Sequence, residues 1–179
     1  QGMCQTPSNA KQGHWVPALP RQFFSRLVER FGNERFIAED LGILNNDVCE
    51  IRDSFGFPGM IVLQFCFEDS IPKVHEYPAD RWLYTGTHDN STLRGWFEAL
   101  PIDSASRRNL NDYYRQNKLY DCHGSPNAEN ISCIMRHIAL KSGCNTVIIP
   151  FQDLLGLDDS ARMNIPGTAL GNWQWRMLP

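Results

Sequence analysis

Apolar residues at Phe24, Leu27, Val28 and Phe31 follow the i, i+3, i+4, i+7 spacing of one helix face, and Gly32 ends the run. Ahead of it, the first twenty residues are rich in Gly, Pro, Gln and Asn and predict a loop. Arg35 to Ala38 predicts a short strand running into Glu39, Asp40 and Gly42; Asp47 to Phe55 then predicts a helix stopped by Gly56 and Pro58. The β-branched and aromatic run Met60 to Phe67 predicts a buried strand, and Trp82 to Thr85 a third strand ending in the polar burst Gly86 to Asn90. Ser91 is the expected N-cap of a helix through Leu100. Ala105 to Lys118 reads as a polar helix, and Ser125 with Pro126 as the cap of another, whose inner face is Ile131, Ile134, Met135 and Ile138 and which Gly143 closes. Thr146 to Pro150 is the fourth strand, apolar on both faces. Strands alternating with helices predict an α/β fold of parallel βαβ units, with the four strands adjacent in chain order.

Composition leaves that picture in place and removes several functions from it. The chain has 179 residues, 42% apolar and 21% charged, with a formal charge of -3 and no like-charge block longer than Arg107 and Arg108. A basic stripe able to track phosphates is missing, so nucleic acid is not an expected partner. The longest apolar runs fall far short of the roughly 20 residues that span a bilayer, so no membrane partner is expected. Six cysteines are scattered without a CxxC pair, which reads as reduced thiols in the cytoplasm or a plastid stroma. The five histidines do not cluster, so no metal and no cofactor is expected.

Polar groups sit directly at the C-terminal ends of three successive strands: Glu39 and Asp40, then Gln64, then His88, Asp89 and Asn90. In a parallel barrel that end is where loops converge on an active site, and two acids from different strands would meet across one pocket. Paired carboxylates suit glycosidic bond cleavage, one protonating the leaving oxygen while another steadies an oxocarbenium-like centre. Taken alone, Glu39 and Asp40 also fit a helix N-cap with an exposed neighbour, and Gly86 to Asn90 a turn whose Asp89 caps the next helix. Trp15, Trp96, Trp173 and Trp175 fit either a core or sugar-stacking platforms.

Four blocks in order carry a resemblance. They are Ala38-Glu39-Asp40-Leu41-Gly42; Phe55-Gly56-Phe57-Pro58-Gly59-Met60 with Leu63-Gln64-Phe65; Tyr84-Thr85-Gly86-Thr87-His88-Asp89-Asn90; and Ala161-Arg162-Met163-Asn164 with Pro166-Gly167 and Gly171-Asn172-Trp173-Gln174-Trp175-Arg176. Together they resemble the C-terminal part of 4-alpha-glucanotransferases, the amylomaltase or disproportionating-enzyme family, glycoside hydrolase family 77. The likeness covers nearly all of the chain and is weakest between Pro101 and Pro126.

The resemblance implies a partial (β/α)8 TIM barrel, roughly strands five to eight with their helices. Such a barrel normally needs about 250 residues, so residues 1–179 are expected to form the C-terminal half of a catalytic barrel, with the rest of it a partner. It implies a retaining transfer of α-1,4-glucan segments to a sugar acceptor. Carried over by position, Glu39 is the general acid/base and Asp89 the carboxylate that steadies the transition state through sugar hydroxyls. His88 would hydrogen-bond the sugar, Phe65 line the acceptor side, and Asp40 and Asn164 contact or border the substrate. The family's nucleophile, an Asp in an Arg-x-Asp pattern closing the fourth barrel strand, has no counterpart in the sequence, while His14-Trp15-Val16-Pro17 resembles the family's segment just after that nucleophile. Residues 1–179 alone are therefore expected to lack transfer activity. A non-catalytic glucan-binding piece and a hydrolytic amylase-type glycosidase remain the alternatives.

Overall fold

The computed structural model describes residues 18–42, 44–119, 122 and 124–177; His14 to Pro17 and Trp15 among them lie outside these residues. Helix α1 (Pro20–Phe31) begins with proline in its first turn and stops at Gly32, whose φ of 80° releases the chain from the helix. Helix α2 (Asn46–Ser54) is capped by the Asn45 side chain, which accepts a hydrogen bond from Val48 N–H at 3.0 Å. Strands β1 (Met60–Val62), β2 (Trp82–Tyr84) and β3 (Thr146–Ile148) form a parallel sheet in chain order, with Met60 opposite Trp82 and Trp82 opposite Thr146. Between β2 and β3 run α3 (Leu93–Ala99), α4 (Ala105–Gln116) and α5 (Ile131–Leu140), and the short α6 (Phe151–Leu154) comes after β3. The α/β reading and the order of these three strands agree with the sequence.

The expected strand from Arg35 to Ala38 does not form. Asn33–Arg35 is a 3-10 turn and Phe36 is extended, but Ala38 N–H makes a single bond to the Pro58 carbonyl at 2.8 Å. Pro58 has no N–H to return, and Met60 N–H is taken by Asp40 Oδ1 at 2.6 Å, so no ladder can grow there. Aromatic rings hold the segment instead: Phe36 lies 5.4 Å from Phe57, which stacks on Phe55 and meets Phe24 edge-on.

The strand expected over Met60 to Phe67 ends at Val62, and Leu63–Phe67 coils into a 3-10 helix. On a strand Leu63, Phe65 and Phe67 would share one face. The tighter turn buries Leu63, Gln64 and Phe67 and sends Phe65 outward. Two caps also move. Thr92, not Ser91 or Asp89, caps α3 by accepting from Gly95 N–H at 3.1 Å. Helix α5 starts at Ile131, after a turn in which Asn127 and Asn130 bond each other's backbone and Asn130 Nδ2 donates to the carbonyls of Gly124 and Ser125.

The core lies between the sheet and α3 to α5. Leu63, Phe67, Leu83, Leu93, Leu110 and the expected α5 face of Ile131, Ile134, Met135 and Ile138 are fully buried. Gly143 sits where a Cβ would press on the carbonyl oxygens of His75 and Tyr77, and its N–H donates to the Val74 carbonyl at 2.9 Å. Strand β3 is not covered on both faces as expected, since Ile148 is exposed. Among the described residues no helix is long and apolar enough to cross a membrane.

Candidate active site

The C-terminal ends of the three strands and the segment after Ala38 open on one cavity of about 830 Å³. Glu39 and Leu41, Phe65, Tyr84, His88 with Asp89, and Ile148 line it. Parallel strands point the loops at their C-terminal ends the same way, so residues far apart in the chain meet here. Four of the expected site residues, Glu39, Phe65, His88 and Asp89, thus line the same cavity.

The loop after β2 is held from below and from the side. Asn90 Oδ1 accepts from both Thr87 N–H (2.8 Å) and the Thr87 hydroxyl (2.7 Å), closing a tight turn that presents His88 and Asp89. Beneath it Gln64, almost fully buried, donates to the Ser91 carbonyl at 2.9 Å, and a Cβ on Gly86 would come within 2.8 Å of the same amide. Asn164 borders the site by bonding to it: its amide donates to Asp89 Oδ1 at 2.6 Å, and its N–H to the His88 carbonyl at 3.1 Å. His88 Nε2 lies 3.3 Å from the same Asp89 oxygen. Both side chains remain half exposed, which leaves Asp89 a free oxygen toward the cavity.

Asp40 takes another position. It does not line the cavity; its carboxylate is buried, ion-paired to Arg52 and, at 3.1 Å, to Arg81, and it accepts the Met60 N–H. Both of its oxygens accept from protein donors, an anchoring arrangement. Arg52 is held charged by its hydrogen bond to Asp53 first and by Asp40 as well. The effect is to fix the backbone next to Glu39, which is itself exposed in the cavity.

Three further groups build the site without having been marked by residue type. Arg162 Nη2 donates to the Asp89 carbonyl (2.7 Å), its Nη1 to the Ser91 hydroxyl (3.0 Å) and its Nε to the Asn164 carbonyl (2.9 Å). Asp159 accepts from Thr92 N–H at 3.0 Å and from the Ser91 hydroxyl at 3.2 Å. Asp153, 1% exposed, accepts from Leu93 N–H at 2.7 Å and from the Thr85 hydroxyl at 2.8 Å, joining the end of β2 to the start of α3. The sign available in the sequence was an acid followed directly by two leucines, Asp153-Leu154-Leu155, after the apolar strand Thr146 to Pro150.

Burial raises the Asp153 carboxyl above its ordinary value of 3.8, against the two hydrogen bonds that favour its ionised form. The fold therefore favours the protonated acid. Its contribution is intact below 3.8 and is lost as pH rises through the raised folded value. Asp153→Asn keeps an acceptor for Leu93 N–H and carries no charge. Urea midpoints measured upward from that pH should fall less for the variant than for the parent; parallel profiles would assign the fall to other groups.

Comparison with known proteins bears on the family and the fold. The profile of the 4-alpha-glucanotransferase family matches residues 4–178. The 4-alpha-glucanotransferase of Thermus thermophilus is 39% identical over 180 residues, covering 95% of this chain and 34% of that protein. The chloroplastic/amyloplastic 4-alpha-glucanotransferase of Arabidopsis thaliana is 38% identical over 182 residues, 98% of this chain and 30% of that protein. Among solved structures, the amylomaltase of Streptococcus agalactiae in complex with acarbose superposes with a TM-score of 0.79 at 35% identity, over 93% of this chain and 32% of that one. The chain thus spans about a third of the length of the relatives it matches. With a family profile and an amylomaltase fold matched over more than nine-tenths of its residues, the chain belongs to the 4-alpha-glucanotransferase family.

Proposed function

We propose that this chain supplies the acid/base and acceptor side of a retaining 4-alpha-glucanotransferase built on a (β/α)8 barrel, of which its three parallel strands form a part. The observation that carries the reading is that Glu39, Phe65, His88 and Asp89 line one cavity. Glu39 protonates the glycosidic oxygen as the bond breaks and later takes the proton of the incoming acceptor hydroxyl. Asp89, oriented by the Asn164 amide, accepts hydrogen bonds from sugar hydroxyls and steadies the positive charge at the anomeric carbon. His88 hydrogen-bonds the sugar being cleaved, and the exposed ring of Phe65 offers the acceptor an apolar face.

The glycosyl group itself is held covalently by the Asp of the family's Arg-x-Asp strand, contributed by the remainder of the barrel. The substrates are α-1,4-glucans and maltooligosaccharides, in line with the acarbose held by the Streptococcus agalactiae amylomaltase. The setting is the cytoplasm, or a plastid stroma as the chloroplastic/amyloplastic Arabidopsis relative favours.

Incubating the full-length protein with maltotriose tests the reading. Transfer yields glucose together with maltooligosaccharides longer than the substrate. Maltose and glucose without longer products would mark a hydrolase, and an unchanged substrate a binding piece.

A further inference from the structure

Trp173 is a non-glycine residue with φ of 63°, in the left-handed region that a side chain with a Cβ rarely adopts. It is pinned there from both sides: its N–H donates to the Met163 carbonyl at 2.6 Å, and its own carbonyl accepts from Arg176 Nη1 at 2.9 Å. Its ring is not core. The residue is half exposed, and its ring lies against the His88 imidazole with centroids 5.0 Å apart and planes 37° apart. His88 lines the large cavity and Trp173 does not, so the indole backs the histidine from outside. The His88 backbone is held by Asn164 and its Nε2 faces Asp89, which leaves the ring face to Trp173. An unfavourable backbone conformation kept for a ring that buries little is a sign of function rather than of stability.

We infer that Trp173 is a positioning residue that fixes the imidazole plane of His88 for its bond to the sugar. The inference rests on the transferase reading of this cavity. Because the indole acts through His88, losing it should lower kcat while KM changes less. Because glycine and asparagine accept the left-handed conformation, losing the indole should not weaken the fold.

The test uses Trp173→Gly, Trp173→Asn and Trp173→Phe in the full-length protein, with maltotriose as substrate. The Gly and Asn variants should lose about 10- to 100-fold in kcat while Tm stays level or rises by about 1–4 °C. Phe keeps a ring face and should retain most of the rate. The His88 ring-proton resonances should move downfield in the Gly and Asn variants as the indole ring current disappears. Parent-like kcat in both, unmoved His88 resonances, or a Tm that falls with the rate, failure to fold included, would overturn the inference. Glu39→Gln measured in parallel separates the two readings. If it turns over normally, the transferase roles fail while Tm and the His88 resonances still decide the Trp173 contact; if it is inactive and the Trp173 variants are normal, only the positioning role fails.

Discussion

Glu39→Gln in the full-length protein should lower the maximal rate of glucan transfer by about a hundred- to ten-thousand-fold with glucan binding and Tm nearly unchanged. Glutamine keeps the size and hydrogen-bonding reach of the side chain and removes only the transferable proton. Glu39 is exposed in the cavity and lies outside the ion-paired network of Asp40, so the fold does not depend on its charge. The rate is read by glucose release from maltotriose and binding by calorimetry with the inactive variant. Turnover close to the parent's would remove Glu39 from the acid/base role and move the search to another carboxylate on the cavity wall.

Asp40→Ala should produce the opposite pattern from its neighbour. Its carboxylate is 7% exposed and joins Arg52, Arg81 and Met60 N–H, so truncation leaves Arg81 and the Met60 amide without this acceptor and Arg52 with Asp53 alone. Removing one partner of such a buried pair is expected to cost about 3 kcal/mol, measured by urea unfolding. Activity should fall only as far as the backbone carrying Glu39 is loosened. A variant with unchanged stability and a raised KM would instead return Asp40 to the substrate, where the likeness to the glucanotransferases had placed it.

That contrast shows how far the chain could be read before it folds. The helix faces of α1 and α5 were legible from spacing, because a 3.6-residue period and the stop at Gly32 are properties of the local chain. Strands β2 and β3 were legible from short apolar runs, and the order of the sheet from their alternation with helices. The place of His88 and Asp89 was legible for the same reason, since polar residues at the ends of parallel strands face one opening, whereas Glu39 lines that cavity from a segment that is not a strand.

The features that stayed hidden depend on partners far along the chain. Arg35 to Ala38 has the composition of a strand, yet Pro58 cannot return a hydrogen bond and Asp40 takes the Met60 N–H, so the ladder stops before it starts. Phe65 turns into the cavity because Leu63–Phe67 tightens into a 3-10 helix that buries Gln64 beneath the Ser91 carbonyl. Arg162 and Asn164 reach Asp89 across more than seventy positions, and Asp153 reaches Leu93 across sixty. By itself the sequence determined the helix faces, the strands β2 and β3 and their order, since periodicity and turn residues act over a few neighbours. Whether Asp40 faces a sugar or a guanidinium, and which groups brace Asp89 and His88, was decided only in the tertiary structure, because a carboxylate takes whichever donors the folded chain brings within about 3 Å, and no local pattern encodes that encounter.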